Sequence, residues 1–219
     1  LDAITAVLPL RPRGTGEFDA PPGTLSRRLF GHAPFVDRIG RRATFVSPQA
    51  IANSEFNLYH SGRATVRGYK TPVELFGQIE AAIRESGEPS YIYAYYPELD
   101  TLAHIHGVGS TQVAAQFAAL DEAFGAFLDA IAGSDTIVLA CADHGFIDSP
   151  PERQIDLAQH PKLAETLARP LCGERRVVYC YVRPGQAARF EDYVAENFGH
   201  CMDAFPSRTL IEQGWFGPG

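Results

Sequence analysis

The sequence predicts an α/β protein with a mostly parallel sheet covered by helices on both faces, and three observations carry that expectation. Two runs rich in apolar, β-branched and aromatic residues, Tyr91–Tyr96 and Thr136–Ala142, read as buried strands. The stretch between them repeats apolar residues at helical spacing. Strand-like and helix-like patterns then alternate along most of the 219 residues, the order that produces βαβ units.

Taken in order, residues 1–42 are rich in Pro, Gly and Arg and read as a loop-rich basic segment with at most short helices. The α/β core is expected over 43–219, the whole forming one incomplete domain. Ala43–Ser47 reads as a strand ended by Pro48, and Ser54–Tyr69 as a polar, Gly-punctuated loop that could face a site. Thr71 followed by Pro72 is an N-cap with proline at the first helical position. The helix it opens runs to about Ser86, with Val73, Phe76, Ile79 and Ile83 on one face. Ser110 caps a second helix whose stripe includes Val113, Phe117, Leu120, Phe124, Phe127 and Leu128. A short helix near 153–168, a strand over Arg176–Val182, and helices near 186–198 and 207–213 complete the pattern.

Two clusters carry the chemistry. Asp100 and His104 follow the first apolar run, and Asp143 and His144 follow the second. Each offers one carboxylate and one imidazole past the carboxyl end of an expected strand, where open α/β sheets bind ligands. Hard oxygen with neutral imidazole nitrogen suits zinc, manganese or iron, and two such pairs suggest two ions. The four-residue spacing of Asp100 and His104 puts them on one face if the chain turns helically after Pro97. Asp143 and His144 are adjacent, so they converge only if the strand ends there, a turn that positive φ at Gly145 would allow. A lone Asp-x-x-x-His is a weak signal, equally at home on a solvated helix. Two clusters one helix apart are a stronger one.

Charge is uneven. Residues 1–70 carry a net +5 and residues 71–219 a net −12. A basic segment beside a carboxylate-rich metal site would suit an anionic substrate, although a solvated Arg-rich surface explains the same charges. No basic, aromatic-interleaved surface marks a nucleic-acid binder. No apolar run reaches the roughly 18 residues of a membrane span. Cysteines at 141, 172, 180 and 201 match no zinc-ribbon spacing. Cys141 and Cys180 fall within expected strands as small hydrophobes, which favours a reducing compartment and a cytoplasmic location. His60 and His106 are candidate substrate or outer-contact residues, with an ordinary surface role the plainer reading of each.

The strand leading into Asp100-x-x-x-His104-x-x-Gly107-x-x-Ser110, the helix bearing Asp121, and the strand leading into Ala142-Asp143-His144-Gly145 together resemble the type I phosphodiesterase/nucleotide pyrophosphatase family of the alkaline phosphatase superfamily. The resemblance covers roughly residues 43–219. It implies a three-layer α/β/α sandwich of alkaline phosphatase-like fold and a site for two divalent ions, most readily Zn2+. Asp100 and His104 would then be ligands of one ion, and Asp143 and His144 of the other. It further implies a small phosphate ester or nucleotide substrate and metal-assisted phosphoryl transfer to a Thr or Ser nucleophile. That nucleophile and the remaining ligands have no match here and are expected outside the segment, the nucleophile upstream of Leu1, so the isolated 219 residues are expected to be inactive. A phosphomonoesterase, phosphonate hydrolase or phosphomutase of the same superfamily, or a non-catalytic remnant, are the competing expectations.

Overall fold

The computed structural model describes residues 5–8, 10–12, 23–174 and 176–217. Short pairing comes first: β1 (Thr5–Ala6) runs antiparallel to β2 (Arg11–Pro12). Then follow α1 (Thr24–Leu29), β3 (Arg42–Pro48), α2 (Gln49–Ala52), α3 (Glu55–Ser61), β4 (Thr65–Tyr69), α4 (Pro72–Glu85), β5 (Ser90–Ala94), α5 (Glu98–His106) and α6 (Thr111–Ala130). The chain ends with α7 (Pro161–Thr166), β6 (Cys172–Gly173), β7 (Val178–Tyr179), α8 (Ala187–Phe198) and α9 (Ser207–Glu212). It divides into two compact units between Asp148 and Ser149.

The first unit is α/β, with a parallel sheet in the order β4-β3-β5 flanked by helices. β3 is central, and its alternation assigns its two faces. On one face Ala43 and Phe45 pack with Val36, from the 3-10 turn Phe35–Asp37. On the other, Val46 packs with Tyr69 and Leu75 and is fully buried. α4 and α6 meet over this second face, where Phe76 stacks on Phe127 at 5.3 Å and packs against Phe124 at 5.5 Å. Both helices begin as their sequences dictate. Thr71 Oγ1 accepts the Glu74 N–H at 3.2 Å, and Ser110 Oγ accepts the Val113 N–H at 3.3 Å.

Several expectations are corrected. Thr136–Ala142 belongs to no sheet, so it does not join β5. Ile137 and Leu139 are 88% and 89% exposed. Strand composition supplies a preference that a neighbouring ladder must satisfy, and no ladder forms here. Ser54–Tyr69 is not a loop but α3 and β4. Ser54 caps α3 by accepting the Asn57 N–H, and the β4 residues lack the alternation that marks a strand. Val73 and Phe117 lie on the solvent sides of their helices, at 73% and 58% exposure, and Leu75 takes the buried position instead.

The second unit, beyond Asp148, replaces the expected parallel strand over 176–182 with a short antiparallel pair, β6 with β7, and one bridge between Leu167 and Val182. The helix expected near 153–168 is broken into the 3-10 turns Pro151–Arg153 and Leu157–Gln159 followed by α7, since Pro161 can start a helix but not continue one. Leu163, Val194 and Phe198 form its core between α7 and α8. Cys141 is exposed and Cys180 half-buried, neither lying in a strand, and burial pushes the Cys180 thiol up. Among the described residues no helix is long and apolar enough to cross a membrane.

Candidate metal centre

Pro97 ends the extended run of β5, and the chain turns directly into α5. Asp100 lies in the first turn of that helix and His104 in its last, one turn apart on the same face. Their side chains meet, His104 Nε2 standing 3.4 Å from Asp100 Oδ1. Asp143 and His144 arrive on the segment after 136–142, whose course brings the Asp143 carboxylate close enough to Tyr93 and Tyr95 to act on both. His144 Nε2 stands 3.8 Å from Asp100 Oδ1 and 3.8 Å from Asp143 Oδ1. Two carboxylates and two imidazoles from distant parts of the sequence thus share one open site, with Asp143 83% exposed.

No strand precedes the second cluster, so Asp143 and His144 do not sit at a strand end as expected. Nor does Gly145 adopt positive φ; the backbone bends at Asp143 without it. Convergence instead follows from α5, which fixes Asp100, and from a loop that carries His144 to it.

The donor set suits a divalent cation in type. Separations of 3.4–3.8 Å exceed a good hydrogen bond. The His104–Asp100 separation of 3.4 Å matches the edge of a coordination polyhedron, about 3.3–3.4 Å for tetrahedral ligands at 2.0–2.1 Å from zinc, and the two separations of 3.8 Å are longer. Among the described residues no group of three or more His, Cys, Asp or Glu side chains is disposed to hold an ion.

Two neighbours were not singled out by sequence reasoning. Tyr95 follows β5, its N–H donating to Val46 O at 3.0 Å. Burial raises its hydroxyl pKa, and the nearby Asp143 and Asp100 carboxylates raise it further. Its place just past the strand end, two residues before Pro97, was the available signal. Asp148 accepts the Val108 N–H at 2.8 Å; only its position in a Pro/Asp-rich loop hinted at a role.

The other candidates lie elsewhere in the packing. His60 is on α3 in an aromatic group, its ring 4.2 Å from Phe56 and 4.6 Å from Phe30, with Nδ1 2.8 Å from Phe56 O. His106 is exposed at the last position of α5. Arg41, Arg42 and Arg63 line a hollow of about 310 Å³ at the amino-terminal edge of β3 and β4. Asp100 follows the carboxyl end of the parallel neighbour β5.

Comparison with known proteins gives one match. A family model described as type I phosphodiesterase / nucleotide pyrophosphatase matches residues 11–208. No curated protein and no solved structure matches significantly.

Proposed function

The chain belongs to the type I phosphodiesterase/nucleotide pyrophosphatase family, and from that premise we propose that it contributes a two-metal site for hydrolysing a small phosphodiester or nucleotide pyrophosphate. The family is one of hydrolases acting on such bonds. The observation that carries the finer reading is the approach of His144 to Asp100, which joins the two clusters into one donor set.

In this reading Asp100 and His104 hold one divalent ion and Asp143 and His144 the other, with zinc the best match to mixed oxygen and nitrogen donors. When bound, such a pair of ions activates the nucleophile and offsets the charge on the phosphoryl oxygens and leaving group. The residues themselves do three things. The α5 backbone holds Asp100 and His104 one turn apart, so their geometry is set before any ligand arrives. The carboxylates of Asp100 and Asp143 concentrate negative charge where cations are to be held, and without those cations they would repel an anionic substrate. The exposure of Asp143 and His144 leaves the approach to the site open. The attacking group in this reading is a Thr or Ser hydroxyl. A single catalytic domain spanning both compact units, and the cytoplasmic location suggested by the cysteine pattern, remain parts of the same proposal.

The test is hydrolysis by the full-length protein of bis(p-nitrophenyl) phosphate against p-nitrophenyl phosphate, before and after chelation and zinc replacement. Preference for the diester, lost on chelation and restored by zinc, supports the reading. Preference for the monoester would favour a phosphomonoesterase of the same superfamily. No hydrolysis of either by metal-loaded protein would favour a non-catalytic remnant.

A further inference from the structure

We propose that Asp148 is a positioning residue whose carboxylate, by accepting the Val108 N–H, clasps the segment bearing Asp143 and His144 to the turn that ends α5. This inference rests on the metal-site reading above and adds to it a residue that holds the two halves of the site together.

The turn after α5 is tight. The Gly107 N–H donates to Ala103 O at 3.0 Å, closing the helix, and the Ser110 N–H donates to Gly107 O at 3.2 Å, leading into the cap of α6. Gly107 sits at φ +85°, where a side chain is strained. Those bonds use the amides of Gly107 and Ser110, and the Val108 N–H goes to Asp148 Oδ1 at 2.8 Å. The bare Cα of Gly107 also makes room for the carboxylate, since a Cβ there would stand 3.3 Å from the same oxygen.

On the other side of the clasp, residues 136–148 join no sheet. A segment without a ladder keeps its side chains in register only through individual ties. Phe146 packs edge-on against the His144 ring at 5.4 Å, and Asp148 fastens the far end of the same loop. His104 lies one turn before Gly107 on α5, so the clasp fixes the separation between the His104 side of the site and the His144 side. Outer partners that orient ligands in this way typically change metal affinity about 10–100-fold when removed.

The experiment compares zinc affinity, by competition with a chromogenic chelator, for full-length wild type, Asp148→Ala and Asp148→Asn. Amide exchange at Val108 is followed in parallel. Asp148→Ala is expected to bind zinc about 10–100-fold more weakly, with faster Val108 exchange and an unchanged urea midpoint. Asp148→Asn keeps an oxygen acceptor in the same place and is expected to recover most of the affinity, a rescue that a requirement for charge alone would not give. Asp148→Ser, too short to reach Val108, is the second truncation if the alanine variant does not fold, with the same loss expected. Equal zinc affinity in wild type and Asp148→Ala would overturn this proposal alone, as would an asparagine variant as weak as alanine. Failure of wild type to bind zinc would overturn the metal reading and this proposal with it.

Discussion

Asp100 and His144 come from two separate segments, yet Oδ1 of the one stands 3.8 Å from Nε2 of the other. Asp100 thereby faces two imidazoles, His104 from its own helix and His144 from the loop. A carboxylate placed between two imidazoles gains most when cations share the space, because imidazole and carboxylate can then both act as electron-pair donors.

Asp143→Asn in the full-length protein should lower phosphodiester turnover at least about 100-fold, the scale seen when one charge-stabilising group is removed. The amide keeps the shape but supplies no negative charge. His104→Ala should do the same by removing a donor. Both side chains are largely exposed, so the urea midpoints should move little, within about 0.5 kcal/mol. Steady-state kinetics and equilibrium unfolding on the same preparations check this, and near-normal turnover by either variant would rule out its assigned role.

Tyr69 should make stability depend on alkaline pH. Its ring is buried and its hydroxyl donates to Tyr95 O at 2.6 Å. Burial first, and then Tyr96, Glu98 and Tyr95, raise its pKa above the ordinary phenol value. The folded state therefore favours the neutral form. That contribution is fully present below the unfolded pKa of about 10 and is lost as pH rises toward the higher folded value. Tyr69→Phe should cost about 1 kcal/mol at neutral pH from the lost hydrogen bond. It should also flatten the fall in stability above about pH 10. Urea unfolding at a series of pH values reads both effects, and parallel alkaline slopes for the two proteins would contradict the assignment.

Leu75→Ala should destabilise the first unit by about 2–5 kcal/mol, because it opens a cavity against Val46 and Tyr69 under the central strand. Ser110→Ala should cost about 1 kcal/mol by leaving the Val113 N–H without its cap. The two sites contribute differently, so thermal unfolding should rank them in that order; a Leu75→Ala variant as stable as wild type would mean that α4 does not seal this core.

What the sequence revealed depended on local signals. Thr71-Pro72 and Ser110 mark helix starts through their own side chains, and α4 and α6 begin where those residues place them. The Asp100–His104 pair was readable because helical spacing alone brings i and i+4 together. Other features turn on partners that local sequence does not specify. The run 136–142 has strand composition, but composition cannot say whether a neighbour will pair with it, and none does. α3 was missed because Ser54 caps a helix too polar to show a strong apolar stripe. The meeting of His144 with Asp100 was anticipated for the wrong reason, a strand end and a glycine turn, when a loop outside any ladder brings them together. Asp148 left no motif at all, since a backbone N–H as partner has no sequence signature.

The central claim is that these four side chains hold two ions in one site, and the most direct measurement is the zinc content of the full-length protein after equilibrium dialysis. Elemental analysis should find two zinc ions per wild-type chain. His104→Ala and Asp143→Asn should each retain about one fewer at the same free zinc concentration, as expected when one of two sites loses a donor. Wild-type stoichiometry left intact in both variants, or no zinc retained by wild type, would contradict the account.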